Sequence, residues 1–206
     1  MIYKYIYIIV CINHRLMITI SIIGSAGRND DAHKLNRSIF TKMYNRAKDT
    51  LNDIIKTEKL QYSDIILKSG GAAYADHIAV LLAIQYKEQD IKLELHLPCN
   101  YILDDTKEII IFTGNDKTSY TATKYHNAFN NKCRTYSFRD IYHVAKMGAI
   151  LYTYKGFYAR NKIVGQADYL IAFTFGVNNV LKKGGTKNTW VGISERCHPG
   201  SCAATT

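Results

Sequence analysis

Asp64-Ile65-Ile66-Leu67-Lys68-Ser69-Gly70-Gly71-Ala72-Ala73-Tyr74-Ala75-Asp76 is the stretch that decides the fold. Its first five residues form a short apolar run of strand length, the paired glycines end that run in a tight turn, and residues 74–86 are apolar enough for a mostly buried helix. Strand, glycine turn and helix in that order make the repeating unit of a parallel α/β sheet. Upstream, Ile18-Thr19-Ile20-Ser21-Ile22-Ile23 is a β-branched run that stops at Gly24-Ser25-Ala26-Gly27-Arg28, as a buried parallel strand entering a turn would. Between the two strands, Leu35, Ile39, Met43, Ala47, Leu51, Ile54 and Ile55 recur at spacings of three and four. This predicts an amphipathic helix within 32–59, or two in series.

Downstream, Lys92-Leu93-Glu94-Leu95-His96-Leu97 alternates polar and apolar before Pro98 and predicts a third strand with one face toward solvent. The order β-α-β-α-β implies right-handed crossovers and a Rossmann-like open, mostly parallel α/β sheet with helices on both faces. Glu108-Ile109-Ile110-Ile111-Phe112-Thr113 reads as a strand, and residues 116–134 as a ligand-proximal loop with a short helix around 125–129. A helix is expected over 137–148, with Phe138, Ile141, Val144 and Ala145 on one face and Ser137 as its N-cap. Another is expected over 158–166, leading into the buried strand Ala167-Asp168-Tyr169-Leu170-Ile171-Ala172-Phe173-Thr174-Phe175-Gly176 and a final loop at 182–190.

With 206 residues, 47% hydrophobic and 21% charged, the chain suits one ordered domain over 17–190. Residues 1–16 begin with an apolar stretch broken at Asn13-His14-Arg15, too short for a membrane span and without a small-residue cleavage site. They are expected to be a dispensable extension, and 191–206 an irregular tail. Five scattered cysteines, an odd number, argue for a reducing, cytoplasmic setting and against a disulfide framework. Cys197-His198 and Cys202 lack a second ligand pair, so no metal site is expected, and no cofactor is implied.

The net charge of +10 attracts phosphate-bearing partners and disfavours cationic ligands. From 117 to 187 the chain has 12 Lys or Arg against Asp140 and Asp168. In an open parallel sheet ligands sit beyond the carboxyl ends of the strands, and three glycine-bearing loops fall there: 24–28, 69–76 and 182–190. Glycines let the backbone approach an anion, and a loop entering a helix aims N–H groups at it. Candidate phosphate-binding positions are Gly24, Ser25, Arg28, Ser69, Gly70, Gly71, Ala72, Arg160, Asn161, Gly184, Gly185 and Thr186, with Asp76 as an acceptor for sugar hydroxyls. The central loop also suits a plain turn with Asp76 favouring the helix start. Neither flanking loop has the spacing of a dinucleotide fingerprint or a Walker loop, and no Gly-x-Ser-x-Gly elbow occurs. His77, within an apolar helix, suits a satisfied core position.

Taken together, Ile22-Ile23-Gly24-Ser25-Ala26-Gly27-Arg28, then Ser69 through Asp76 with His77-Ile78-Ala79, then Arg160-Asn161 leading through 167–173 to Gly184-Gly185-Thr186-Lys187-Asn188-Thr189, resemble the SLOG superfamily. This Rossmann-like group includes the DNA-processing protein DprA and the Lonely Guy proteins. The likeness is nearest to small stand-alone YspA-like members and covers about 17–190. It implies a nucleotide or nucleotide-derived ligand lying across the loops, in a sensor or processing role. Lonely Guy enzymes cleave a nucleoside monophosphate at its N-glycosidic bond through a Pro-Gly-Gly-x-Gly-Thr-x-x-Glu loop; residues 183–190 have neither that proline nor that glutamate.

Two other functions remain open on the sequence. An N-glycosidic hydrolase would use Asp76 as the catalytic acid that stabilises the oxocarbenium charge. A single-stranded nucleic-acid binder of DprA type would use the basic second half, with Tyr120, Tyr125 and Tyr154 stacking on bases. The weakly patterned C-terminus leaves a sheet edge that invites a homo-oligomer, and no membrane partner is expected.

Overall fold

The structure, a computed structural model, describes residues 6–10, 17–27, 31–114, 117–175 and 189. Five parallel strands make the main sheet: β2 (Ile18–Gly24), β3 (Ile65–Ser69), β4 (Lys92–Leu97), β7 (Ile150–Thr153) and β8 (Tyr169–Phe173). Their order is β8-β2-β3-β4-β7, and β1 (Ile6–Val10) adds an antiparallel strand on the outer edge of β8, with Ile6 opposite Phe173. The helices are α1 (Arg37–Glu58), α2 (His77–Gln85), α3 (Lys117–Cys133), α4 (Ser137–Lys146) and α5 (Phe157–Val164). This is the Rossmann-like open sheet expected from the strand and turn pattern.

The period of two along the strands decides what each face holds. Ile20 stands beside Leu67 and Tyr169, and Leu67 beside Leu93, so these four point the same way into the core. Against them pack Phe40, Met43, Ala47, Leu51 and Ile54 of α1, and Ile78, Ala79 and Leu82 of α2. The intervening residues Ser21, Lys68 and Glu94 form a polar row on the opposite face. That row meets the end of α5, where the last carbonyls of any helix lack internal partners. Ser21 Oγ donates to the Val164 carbonyl at 2.6 Å, and Lys68 Nζ donates to the Gln166 carbonyl at 3.2 Å. A cation there also suits the negative end of the helix dipole. The alternating polar residues of β2 and β3 therefore seat the short helix that carries Arg160 and Asn161.

Several expectations are corrected. α1 is one helix and begins at Arg37, because the Asn36 side chain accepts from the Ile39 N–H and caps it there. Residues 116–134 are not a loop with a short helix: α3 runs for 17 residues, with Ala122, His126, Phe129 and Cys133 as its buried face. Ser137 is not the N-cap of α4. Tyr136 holds that position without a side-chain bond, and Asn130 Oδ1 of α3 accepts from the Ser137 N–H at 2.9 Å. The strand at 108–113 is β6 (Ile109–Thr113), which pairs with β5 (Asn100–Asp104) in a separate two-stranded sheet against α4. In β4, His96 is buried and Glu94 partly so, because both lie on the face shared with α5 and away from open solvent. No described helix is long and apolar enough to cross a membrane.

Candidate functional site

From β2 the chain moves outward to β3, β4 and β7 with α1, α2 and α4 as crossovers, then returns through α5 to β8 on the other side of β2. The strand order therefore reverses between β2 and β8, and in such sheets a crevice lies beyond the carboxyl ends of the strands at that point. A cleft lies there, open at its mouth, with a cavity volume of about 110 Å³. Ser25, Gly71, Ala72, Asp76, Arg160 and Asn161 line it.

The central loop is held from within. Ser69 Oγ donates to the Asp76 carbonyl at 2.7 Å and accepts from the Gly71 N–H at 3.2 Å, closing the loop across its base. Gly71 has φ +60, and a Cβ there would lie 2.4 Å from Leu97 Cδ2. Tyr74 also has a positive φ of 61, a conformation a bulky residue takes only when its surroundings impose it. Its ring is buried against Phe129 of α3 with centroids 4.7 Å apart. The strain is offset by that packing.

At the floor of the cleft Arg160 Nη1 meets Asp76 Oδ2 at 3.0 Å, with both side chains under 10% exposed. The backbone N–H groups of Ala72 and Gly24 also donate to the Asp76 carboxylate. Burial pushes this carboxyl above its ordinary range, opposed by Arg160 and by the two N–H donors. Gly70 is what admits the guanidinium: a Cβ at that position would lie 1.3 Å from Arg160 Nη1 and 2.7 Å from Asp76 Oδ2. Gly24 is likewise fixed by close approach, since its Cβ would meet the Phe173 carbonyl and Ala75 Cβ at 2.5 Å. Two loops are thus tied to one ion pair.

A second tie comes from α3. His126 Nε2 lies 3.0 Å from the Gly71 carbonyl, so it must carry the proton and donate, which leaves Nδ1 to accept from Ser137 Oγ at 2.9 Å. Burial, aided by His77, holds this imidazole down to about 3, against the Gly71 carbonyl, which favours the charged form. His77 itself is fully buried in the core and bonded through Nε2 to Asp140 at 2.9 Å. The first loop is anchored to β8 by the Ser25 N–H on the Phe173 carbonyl at 3.1 Å. Ser25 Oγ donates to Asp31 Oδ2 at 3.0 Å and accepts from the Gly27 N–H at 3.4 Å.

Of the positions predicted from sequence, Gly24, Ser25, Gly71, Ala72, Asp76, Arg160 and Asn161 meet in this one cleft. Ser69 and Gly70 lie directly behind it, shaping the loop. Arg28, Gly184, Gly185 and Thr186 lie outside the described residues, although Thr189, just beyond them, lines the cleft. The sequence reading did not find Asp31, Pro98, His126 or Phe157, which also line it. His126 escapes a reading of the sequence because it belongs to the weakly apolar buried stripe of α3, Ser119, Ala122, His126, Phe129 and Cys133. Tyr154, considered for base stacking, is 2.8 Å from His96 Nδ1 through its hydroxyl, whereas Tyr120 is exposed. No group of three or more His, Cys, Asp or Glu among the described residues could hold a metal ion.

An uncharacterized protein of Acanthamoeba polyphaga mimivirus is 28% identical over 179 residues, which cover 84% of this chain and 89% of that protein. No protein-family model matches the chain. No solved structure matches it either.

Proposed function

We propose that this cleft binds a nucleotide or nucleotide-derived ligand, in the sensor or processing role that the SLOG resemblance implies. The observation that carries the reading is the guanidinium of Arg160, fixed over Gly70 by Asp76 at the point where the loops of β2, β3 and β8 converge. A cation held in place before the ligand arrives has little side-chain entropy left to lose on binding, and guanidinium geometry suits phosphate. Ser25 and Asn161 add polar side chains to the lining. The net charge of +10 favours the approach of an anion.

Calorimetry with the common nucleoside mono- and diphosphates, NAD and ADP-ribose tests this. At least one should bind at millimolar concentration or below. Ala72 lines the cleft and is only half-buried, so Ala72→Glu should place a charge at the ligand without disturbing the core. It should weaken binding about tenfold or more, as expected when an anion meets a like charge, while leaving the melting temperature unchanged. Failure of the whole panel to bind would end the proposal.

A further inference from the structure

One peptide unit of the central loop, that joining Gly71 to Ala72, is held at both ends. Its carbonyl accepts from His126 Nε2 at 3.0 Å, and its N–H donates to the Asp76 carboxylate. A trans peptide sends its C=O and its N–H in opposite directions, so fixing one end fixes where the other points. Asp76 in turn holds Arg160 Nη1 at 3.0 Å. A chain of contacts therefore runs from α3, through a single peptide unit, to the guanidinium on the cleft floor.

That unit sits where the backbone resists rotation least. Gly71 has φ +60 and no room for a Cβ beside Leu97, so the position is glycine, whose backbone turns at the smallest steric cost. The bond from the Gly71 N–H to Ser69 Oγ belongs to the preceding peptide and does not restrain this one. Rotated by half a turn, the unit would exchange its ends. A carbonyl oxygen would then face the Asp76 carboxylate, and the negative end of the peptide dipole would stand on the floor where an anion is to lie. The group that opposes this is His126. Its ring is 1% exposed, with centroids 5.4 Å from those of Phe112 in β6 and Phe138 in α4, and Ser137 Oγ donates to its Nδ1 at 2.9 Å. So confined, the imidazole cannot follow a carbonyl that turns away, and a buried N–H left without an acceptor is costly.

We infer that His126 is a positioning residue of the cleft: by donating to the Gly71 carbonyl it keeps the Ala72 N–H, and not a carbonyl oxygen, turned to Asp76, and so sets the floor on which Arg160 meets an anion. For its effect on binding the inference rests on the nucleotide reading of the site; the orientation of the peptide needs no ligand. Two substitutions separate the bonds of the imidazole. The amide of Gln reaches as far as Nε2 and can still donate to Gly71, whereas that of Asn reaches only as far as Nδ1 and can keep the Ser137 bond alone.

The test records amide spectra and hydrogen exchange of the labelled, ligand-free protein, then calorimetry with ADP and ADP-ribose, for the unaltered chain, His126→Gln and His126→Asn. The Ala72 N–H, bonded to a carboxylate, should resonate at low field and exchange slowly in the unaltered protein and in His126→Gln. In His126→Asn it should move upfield and exchange about tenfold faster or more, while the amides of α1 and β8 stay as they were. Nucleotide binding should weaken about tenfold in His126→Asn and stay within about threefold in His126→Gln. An Ala72 amide that is the same in all three proteins overturns the inference, and so does an equal loss of binding in both variants, which would mark a packing role. A proton found on Nδ1 of His126 in the unaltered protein, read from its imidazole nitrogens, overturns it without any variant. If neither nucleotide binds the unaltered protein, the nucleotide reading fails, and the Ala72 amide still decides the role of His126.

Discussion

Arg160→Leu is expected to destabilise the protein by about 3–5 kcal/mol at neutral pH, the usual consequence of leaving one member of a buried ion pair without its partner. Asp76 is 4% exposed and held against Arg160 Nη1 at 3.0 Å, so neither solvent nor a rotamer change can replace the lost cation. Gly70→Ala should produce a similar loss by a different route, because its Cβ would occupy the space of the guanidinium. The deficit in Arg160→Leu should shrink as the pH falls. Burial already pushes the Asp76 carboxyl up, and removing Arg160 takes away an opposing influence. A carboxyl raised above its unfolded value costs stability as the pH rises through its folded pKa and not below its unfolded one, so acid relieves the variant. Urea unfolding at pH 7.5 and pH 5 measures both effects. A loss below about 1 kcal/mol, typical of exposed pairs, would show that the pair is not the keystone of the cleft.

Acid should destabilise the unaltered protein steeply, and His126 should be a principal cause. Its imidazole is held down to about 3, whereas an ordinary histidine titrates near 6.5. As the pH falls through that interval the unfolded chain takes up a proton that the native state refuses, so stability present above about 6.5 is lost toward 3. At about 1.4 kcal/mol per pH unit the loss is on the order of 4–5 kcal/mol, a large share of the stability of an ordinary domain. His96, pushed down to about 4 chiefly by burial and then by Lys68, acts in the same direction. In His126→Gln the amide can still donate to the Gly71 carbonyl but has nothing to protonate. Its stability between pH 6.5 and 4 should decline by clearly less than that of the unaltered protein, measured by urea unfolding at several pH values. Parallel declines would mean that His126 plays no part in acid unfolding.

The parts of the fold that were legible are those where burial dictates sequence. β8 is buried at every residue and the β4 sequence alternates polar and apolar, so both could be read as strands, although the polar face of β4 is covered rather than open to solvent, and the loops after β2 and β3 announced themselves by their glycines. α3 was not legible as a helix because its buried face includes Ser119, Ala122 and His126, small or polar residues that give a weak apolar stripe. β7 was missed for the opposite reason: it is a four-residue edge strand with most of its residues exposed, and edge strands need no apolar pattern. The pairing of β6 with β5 could not be read because the Asp105-Thr106-Lys107-Glu108 turn has no glycine; Asp104 Oδ1 organises it by accepting from Thr106 and Lys107.

In the site, the grouping of Gly24, Gly71, Asp76 and Arg160 followed from topology, since strand ends must share one edge of a parallel sheet. Their division of labour did not. That Gly70 makes room for a side chain 90 positions later, and that Asp76 faces Arg160, are facts of close approach that no local pattern encodes. Asp31 was invisible because one aspartate in Asn29-Asp30-Asp31 looks like any polar turn.

The central claim is that a nucleotide lies in the cleft between the first loop, the central loop and α5. A two-dimensional amide spectrum of the labelled protein, titrated with each nucleotide of the panel, tests it most directly. The account predicts saturable shifts clustered at Ser25, Gly71, Ala72 and Asn161, with the β5–β6 hairpin unmoved. Shifts confined to surfaces away from these residues, or none from any nucleotide at millimolar concentration, would contradict it.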